Sequence, residues 1–237
     1  MAVGVNTSAE ALDGHGVFDR ANGGQAEAAA RARVGRAWPL AIRTGKFRRM
    51  PPSAGWHDRP VTERTVRSER VFDGRLISVR VDSVELTGGR VVRREIVEHP
   101  GAVAIVAWDG ARLALVRQWR HATGRAMLEI PAGTLDPGEE PEATARRELA
   151  EECRAAASRW REGPRFWTAP GFCTELMHLF VATDLSPADG SLADDEEIEV
   201  EWRTLTDAVA AVDAGEIADA KTIAGILWFA AEQARGR

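Results

Sequence analysis

Residues 1–60 and the rest of the chain differ in how apolar and polar positions alternate. Residues 1–60 are rich in Ala, Gly and Arg and show no sustained apolar period of either 2 or 3.6. The following part contains short segments in which apolar and polar side chains alternate between Asp-Gly or Gly-Gly pairs, a pattern typical of strands joined by tight turns. This pattern predicts strands over 67–72, 76–86, 91–98, 102–108 and 112–119.

The segment 102–108 is apolar on both faces, which predicts a central strand. The Asp109-Gly110 pair behind it is the strongest hairpin signal in the chain and joins it to 112–119. Shorter patterns predict strands over 166–168, 177–183 and 197–203 and helices over 141–153, 206–214 (N-cap Thr206) and 220–233 (N-cap Asp219). Runs of strands with a few helices, without strict βαβ alternation, predict an α+β fold built on a mixed sheet.

Composition and charge narrow the class of protein. The chain has 237 residues and a formal charge of -5, and its apolar runs are too short to cross a bilayer, which excludes a membrane span. Two cysteines exclude a disulfide framework and favour a reducing, cytoplasmic compartment. The mildly acidic balance argues against a nucleic-acid partner.

Charge is unevenly distributed, because residues 1–60 carry a net +4 and the remaining 177 residues carry -9. We predict a mostly disordered leader over 1–60. The alternatives are a basic arm that binds nucleic acid, a transit peptide, or an upstream extension of a functional chain that begins near Met50. The basic residues are scattered rather than clustered, which favours a passive segment.

Three carboxylates share one face of the predicted helix 141–153. Glu148, Glu151 and Glu152 stand at i, i+3 and i+4, and like charges at this spacing repel one another. A bound divalent cation would offset the repulsion, and an all-oxygen site suits Mg²⁺ or Mn²⁺. A solvated acidic helix face is the alternative interpretation of the helix alone.

A wider pattern surrounds these carboxylates. Five residues separate Gly133 from Glu139, and seven more precede Arg147-Glu148-Leu149, which Glu151 and Glu152 follow. This spacing resembles the signature of the Nudix hydrolases. The segments 115–120, 129–133 and 169–175, the acidic stretch 194–197 and the two closing helices resemble the ADP-ribose pyrophosphatase branch, so that the resemblance covers about residues 65–233. Arg154 departs from it, since the family usually has Gly there, and we expect an extended helix or a strained turn rather than lost chemistry.

The resemblance implies a fold, an activity and a set of site residues. The fold is an α/β/α sandwich around a mixed sheet over 101–237, preceded over 61–100 by an antiparallel sheet that mediates a homodimer. The activity is Mg²⁺-dependent hydrolysis of ADP-ribose to AMP and ribose 5-phosphate, with two or three Mg²⁺ ions (or Mn²⁺) per site. A related hydrolase of the GDP-mannose type and a non-catalytic nucleotide sensor are the alternatives. The implied catalytic residues are Glu151, Glu152 and Glu196; the metal ligands are the Ala132 carbonyl, Glu148, Glu152 and Glu196; the substrate-binding residues are Arg120, Glu175 and Arg94; and the structural residues are Gly133, Glu139 and Arg147.

Glu196 is chosen from an acidic run because it lies two residues before Ile198, at the start of a predicted strand. Asp194, Asp195 and Glu197 remain open as alternatives for the same role. Without the surrounding signature, a solvated loop would be the preferred interpretation of this run.

Overall fold

The computed structural model describes residues 63–192 and 197–236. The strands are β1 (Arg64–Asp73), β2 (Ser78–Glu85), β3 (Val91–Glu98), β4 (Ala102–Ala107), β5 (Arg112–Arg120), β6 (Arg125–Glu129), β7 (Ala132–Thr134), β8 (Ala155–Trp167), β9 (Leu176–Pro187) and β10 (Ile198–Thr204). The α-helices are α1 (Pro141–Cys153), α2 (Leu205–Asp213) and α3 (Ala220–Gln233), and a 3₁₀ turn covers His121–Thr123. The predicted leader over 1–60 lies outside the described residues.

Strand β4 lies inside a mixed sheet of order β7-β4-β9-β8, in which it pairs parallel with β9 and antiparallel with β7. All six residues of β4 are buried, as the two-sided apolar pattern predicts. A second sheet has the order β10-β5-β6, and β1, β2 and β3 form an antiparallel sheet in chain order. The mixed sheet with helices confirms the predicted α+β fold.

Helices cover both faces of the strands. Ala104 and Val106 of β4 pack in one apolar cluster with Ile226 and Phe229 of α3. Val103 and Ile105, which point the other way, pack in a second cluster with Leu149 of α1. Because successive strand residues point to opposite faces, one short strand supplies both layers of the core. The helix α1 is thereby fixed against β4, with its other face left for the carboxylates.

The prediction of a hairpin at Asp109-Gly110 is correct for the turn. It is wrong for the pairing, because the two strands that the turn joins belong to different sheets. Gly110 has a φ of +100°, and Trp108 bridges to Leu113. Beyond that bridge the two strands separate, because β4 pairs with β7 and β9 whereas β5 pairs with β6 and β10. The loop 129–133, which includes the last residue of β6 and the first two residues of β7, therefore connects the two sheets.

Several boundaries differ from the sequence-based prediction, which also contains no counterpart of β6 and β7. The strand predicted over 166–168 is the end of β8, which runs from Ala155 and is an edge strand paired with β9. Its exposed, Arg-containing middle lacks the alternation that marks a half-buried strand. The N-cap of α2 is Thr204 and not Thr206, since Oγ1 of Thr204 accepts a hydrogen bond from the Asp207 amide at 3.1 Å. The predicted cap at Asp219 is confirmed.

Arg154 ends α1 in the left-handed conformation, at φ 50° and ψ 41°. Its amide donates to the Ala150 carbonyl at 3.0 Å, and its own carbonyl accepts from the Ala188 amide at 2.9 Å. A non-glycine residue in this region costs on the order of 1 kcal/mol. The helix therefore stops where a glycine would stop it, and the expected strain of the turn is present.

The helices of the described residues also bear on the question of a membrane span. None of the helices in 63–192 and 197–236 is long and apolar enough to cross a bilayer.

Candidate active site

The carboxylates of α1 differ in burial although they lie within about one turn. Glu152 is 6% exposed, the side chain of Glu148 is 13% exposed, and that of Glu151 is 37% exposed. Charged groups are costly to bury unless they are paired, hydrogen-bonded or bound to metal. The face therefore runs from a buried carboxylate to one that meets solvent.

The loop 129–133 packs directly on two of these carboxylates. Oε2 of Glu152 accepts a hydrogen bond from the Ala132 amide at 3.0 Å. A Cβ built on Gly133 would stand 1.9 Å from Oε1 of Glu148 and 2.0 Å from its Cδ. A side chain at position 133 would thus occupy the space of the Glu148 carboxylate, which explains why this position is glycine.

Arg147 is the cationic partner of the site. Its Nη1 donates to Oε1 of Glu148 at 2.7 Å and to Oε2 of Glu151 at 3.0 Å, and its Nη2 donates to Oε2 of Glu139 at 3.2 Å. Partial burial lowers the pKa of the guanidinium, but the hydrogen bond that it donates to Glu139 and the charge of Glu148 outweigh this effect and raise the pKa overall. Arg147 thus contacts Glu148 and Glu151 on the helix and, through Glu139, links the helix to the loop before it.

The α1 donor set fits a divalent cation in its chemistry. All the side-chain donors are carboxylate oxygens, which Mg²⁺ and Mn²⁺ prefer, and Gly133 leaves the Glu148 carboxylate accessible to the loop backbone. Among residues 63–192 and 197–236, no three His, Cys, Asp or Glu side chains converge closely enough to hold an ion as they stand. One oxygen of Glu148 and one of Glu151 face Arg147 instead, so cation binding would exchange guanidinium contacts for metal contacts.

A cavity of about 330 Å³ lies beside this loop. Its lining includes Ala132 and Gly133 of the loop, Arg120 at the end of β5, Glu175 before β9, and Lys221 in the first turn of α3. Four of the residues predicted from the sequence thus meet in one place. The cavity combines two cations with the backbone that supports the α1 carboxylates.

Arg120 and Lys221 converge on the carboxylate of Glu129, which is 1% exposed. Arg120 donates from Nε to Oε1 at 2.8 Å and from Nη2 to Oε2 at 2.7 Å, and Nζ of Lys221 lies 2.5 Å from Oε2. Burial raises the pKa of Glu129, but the hydrogen bond from Arg120 and the charge of Lys221 outweigh it, so the pKa is lowered overall. The Glu129 carboxylate is therefore ionised at neutral pH.

Glu175, which also lines the cavity, is held by neighbouring side chains. Its Oε2 accepts a hydrogen bond from Thr168 Oγ1 at 2.5 Å, and its Oε1 lies 3.8 Å from Nε2 of His99. Nδ1 of His99 accepts from the Gly101 amide at 3.1 Å. A neutral His99 therefore carries its proton on Nε2, on the side of Glu175.

A family model described as the NUDIX domain matches residues 98–226, more than half of the chain. The chain belongs to the Nudix family. The match begins at the end of β3 and ends within α3, and it includes α1, the loop 129–133 and the cavity.

Curated relatives are similar over most of the chain. An ADP-ribose pyrophosphatase of Bacillus subtilis (strain 168) is 42% identical over 175 residues, which cover 73% of this chain and 95% of the relative. An ADP-ribose pyrophosphatase of Mycobacterium tuberculosis (strain ATCC 25618 / H37Rv) is 42% identical over 167 residues, 69% of this chain and 81% of the relative. A methanol dehydrogenase activator of Bacillus methanolicus is 37% identical over 175 residues, with 73% and 95% covered.

A solved structure agrees with the Nudix fold. The crystal structure of an ADP compounds hydrolase superposes with a TM-score of 0.65 at 24% sequence identity, and the match covers 74% of this chain and 95% of the other. At this identity the likeness concerns the fold alone.

The predicted Nudix site residue Arg94 does not line the cavity. Arg94 lies on β3, where its Nη2 donates to Oε1 of Glu63 at 2.6 Å, and its side chain is 43% exposed. The hydrogen bond that Arg94 donates to Glu63 raises the pKa of Arg94. Glu196, with Asp194 and Asp195, lies outside the described residues.

A larger cavity of about 410 Å³ lies between β8, β9 and α3, away from the Nudix carboxylates. Its two arginines already have acidic partners: Nη2 of Arg161 lies 2.5 Å from Oε2 of Glu232, and Nε of Arg159 lies 2.7 Å from Oδ2 of Asp184. None of the predicted site residues that the structure describes lines this larger cavity. The smaller cavity is therefore the candidate active site.

Sequence reasoning missed Lys221 and Glu129. A lysine in the first turn of a helix is unfavourable, because the helix dipole places positive charge there. Lys221 lies two residues after the cap Asp219, and this unfavourable position was the available signal in the sequence. It indicates a cation that needs an anionic partner from elsewhere in the fold. The anion is Glu129, 92 residues away in the chain, which no local pattern connects to Lys221.

Proposed function

We propose that this Nudix protein hydrolyses the pyrophosphate of ADP-ribose to AMP and ribose 5-phosphate, by attack of water on phosphorus. The observation that carries the proposal is the meeting of the α1 carboxylates with Arg120 and Lys221 on the loop 129–133. Two relatives named ADP-ribose pyrophosphatase, each 42% identical, support this substrate.

Glu148, Glu152 and the carbonyl of Ala132 would hold the divalent cations. Bound Mg²⁺ would supply positive charge to the phosphate oxygens and lower the pKa of the attacking water. We propose Mg²⁺, with Mn²⁺ as a substitute, at two or three ions per site. Gly133 gives the Glu148 carboxylate its space, and Arg147 with Glu139 orients the carboxylates from the loop side.

We assign proton transfer first to Glu151. It is the most exposed of Glu148, Glu151 and Glu152 and pairs with Arg147, so it can approach a water molecule at the edge of the site. We retain Glu196 as a further metal ligand or general base. We also retain Glu152 as a catalytic residue. Asp194, Asp195 and Glu197 remain alternatives to Glu196.

Arg120 and Lys221 would bind the pyrophosphate from the cavity side. A guanidinium presents donors in a plane that matches phosphate oxygens, whereas an ammonium acts as a point charge. Glu175, which Thr168 holds, would accept hydrogen bonds from ribose hydroxyl groups. The cavity thus offers cations to the charged centre of the substrate and an anion to its sugar.

Arg94 enters the proposal only through a dimer. It lies in the β1-β2-β3 sheet outside the cavity lining, so contact with substrate would require a partner subunit that brings this sheet to the site. We propose a cytoplasmic homodimer formed through the segment 61–100. Sedimentation of the full chain and of a variant lacking 61–100 tests this part separately.

The activity is tested with a substrate panel. Purified protein is incubated with ADP-ribose, GDP-mannose, NADH and diadenosine polyphosphates, with and without Mg²⁺, and the products are identified by mass. We expect AMP and ribose 5-phosphate from ADP-ribose, only with the metal. Preferred cleavage of GDP-mannose would favour the related hydrolase, and ADP-ribose binding without turnover would favour the sensor.

A further inference from the structure

Glu129 is a buried carboxylate that two cavity cations share. Arg120 forms a two-point fork with it at 2.8 and 2.7 Å, and Nζ of Lys221 lies 2.5 Å from Oε2. Arg120 and Lys221 line the cavity, whereas Glu129 does not. A ligand in the cavity therefore meets the two cations and not the anion behind them.

The need for stability does not by itself explain why charged side chains occupy these buried positions. Desolvating a carboxylate and an ammonium is costly, and apolar side chains of similar volume often replace buried ion groups without loss of stability. Lys221 carries a further cost, because it lies at the positive end of the dipole of α3. The groups that offset this cost are Glu129 and Asp219, whose Oδ2 lies 3.0 Å from Nζ.

The contacts with Glu129 fix the orientation of both cations. The fork uses Nε and Nη2 of Arg120, so it sets the plane of the guanidinium. Nη1 takes no part in the fork and can donate to a ligand. Lys221 has three N–H donors, of which Glu129 and Asp219 engage two. Each cation therefore keeps donor capacity while its position is set by the same carboxylate.

The same loop also ties these cations to the α1 carboxylates. The amide of Ile130, next to Glu129, donates to Oγ1 of Thr222 in α3 at 3.0 Å. Two residues further on, the Ala132 amide donates to Glu152 at 3.0 Å. The distance between the cations and the α1 face is thus set by a few residues of backbone.

We propose that Glu129 is a positioning residue, which holds Arg120 and Lys221 side by side so that both face the diphosphate of the substrate. The proposal rests on the proposed function for the identity of that substrate. The positioning role itself requires only that Glu129, which touches no ligand, raises the affinity of the cavity for a diphosphate.

The test depends on whether the affinity for an anion rises or falls when Glu129 loses its charge. Removing a negative charge beside two cations would strengthen the binding of an anion if the cations stayed in place. Loss of positioning has the opposite effect. In Glu129→Gln, which keeps the shape of the side chain, we expect the affinity for a diphosphate to fall about 10- to 100-fold, as is typical when a group that orients a ligand-binding residue is lost.

Affinity is measured by calorimetry with α,β-methylene ADP, a diphosphate that cannot be hydrolysed at the bridging position, in the presence of EDTA. Glu232→Gln is the matched control, since Glu232 pairs with Arg161, is 13% exposed and lies outside the cavity. We expect its affinity to equal that of the unaltered protein. Unchanged or tighter binding in Glu129→Gln, or no binding by the unaltered protein, overturns the proposal.

A double-mutant cycle separates positioning from a general structural role. In a variant that already carries Arg120→Met and Lys221→Met, the further change Glu129→Gln is expected to alter the affinity by less than about twofold, because no cation is left to position. A full additional loss in that background would mean that Glu129 supports the cavity in another way, and the proposal would fail.

A second variant decides the matter if Glu129→Gln does not fold. Arg120→Lys keeps the charge but cannot form the fork, so we expect about tenfold weaker binding of the analogue. Arg161→Lys, at the distant pair with Glu232, is expected to bind normally. Unaltered affinity in Arg120→Lys contradicts the proposal. If ADP-ribose is not cleaved but the analogue still requires Glu129, the proposed function is wrong and the positioning role stands.

Discussion

The Cα of Gly133 lies against the carboxylate of Glu148, and a Cβ at position 133 would stand 1.9 Å from Oε1 of Glu148. The loop and the helix are separated by only the hydrogen atom that glycine carries. The backbone that carries the Ala132 carbonyl is thereby brought next to the α1 carboxylates. This contact makes position 133 sensitive to any side chain.

Gly133→Ala is expected to displace Glu148. Overpacking of this kind costs roughly 1–3 kcal/mol, and loss of the ligand's position should lower kcat/KM about 10- to 100-fold. Steady-state hydrolysis of ADP-ribose and thermal unfolding check the two effects. Gly171→Ala is the control, because a Cβ there meets nothing within 4 Å and its φ lies outside the left-handed region. Full activity in Gly133→Ala would contradict the packing argument.

Arg147→Gln is expected to make the protein depend more strongly on Mg²⁺ for its stability. Arg147 neutralises Glu148 and Glu151, so without it these carboxylates repel each other until a cation binds. The rise in Tm on adding Mg²⁺ should be larger in this variant than in the unaltered protein. Arg146→Gln is the matched control, since Arg146 pairs with the exposed Glu142 on the same helix and lies over the Trp160 ring. An equal rise in all three proteins would argue against a metal site among these carboxylates.

Arg154→Gly is expected to stabilise the protein without changing its chemistry. Glycine removes the strain of the left-handed residue, about 1 kcal/mol, which should raise Tm by about 2–4 °C in a chain of this size. Asp184→Gly should gain less, because Asp tolerates a positive φ (55° here) better than Arg does. Calorimetric unfolding measures both. A rise in turnover by orders of magnitude in Arg154→Gly would show that the departure at this position impairs the site.

The stability contributed by Glu129 is expected to depend on pH. Burial raises the pKa of this carboxyl, but Arg120 and Lys221 outweigh it and lower the pKa below its usual value. A depressed pKa in the folded state stabilises the protein above the unfolded pKa, about 4.3, and the contribution is lost as pH falls through the folded pKa. In urea unfolding, the difference between Glu129→Gln and the unaltered protein should therefore shrink below about pH 4. A constant difference down to pH 3 would contradict the shifted pKa.

The two cysteines are expected to differ in reactivity. Burial, helped by the charge of Glu152, raises the pKa of Cys153 to about 12, so roughly one thiol in ten thousand is ionised at pH 8. Cys173 is partly exposed. A thiol reagent should modify Cys173 first, and Cys153→Ala should leave the fast phase unchanged. A fast phase that persists in Cys173→Ala would mean that Cys153 is accessible.

Local sequence patterns determined the elements whose signals lie within a few residues. The helix α1 has the bounds predicted from its composition, and α3 begins at its predicted cap Asp219. The all-apolar pattern of β4 predicted a strand covered on both faces. Likewise, the i, i+3, i+4 spacing placed Glu148, Glu151 and Glu152 on one face of a helix, because the geometry of a helix is the same in any fold.

The tertiary structure alone decided which of these elements meet. The turn at Gly110 is local, but the parallel pairing of β4 with β9 joins residues far apart in the chain and draws β4 and β5 into different sheets. Lys221 and Glu129 are 92 residues apart, and neither carries a signal for the other. The sequence by itself thus determined the carboxylate helix and the family resemblance, whereas folding assembled the cations of the cavity, because burial and ion pairing act between segments that no local period connects.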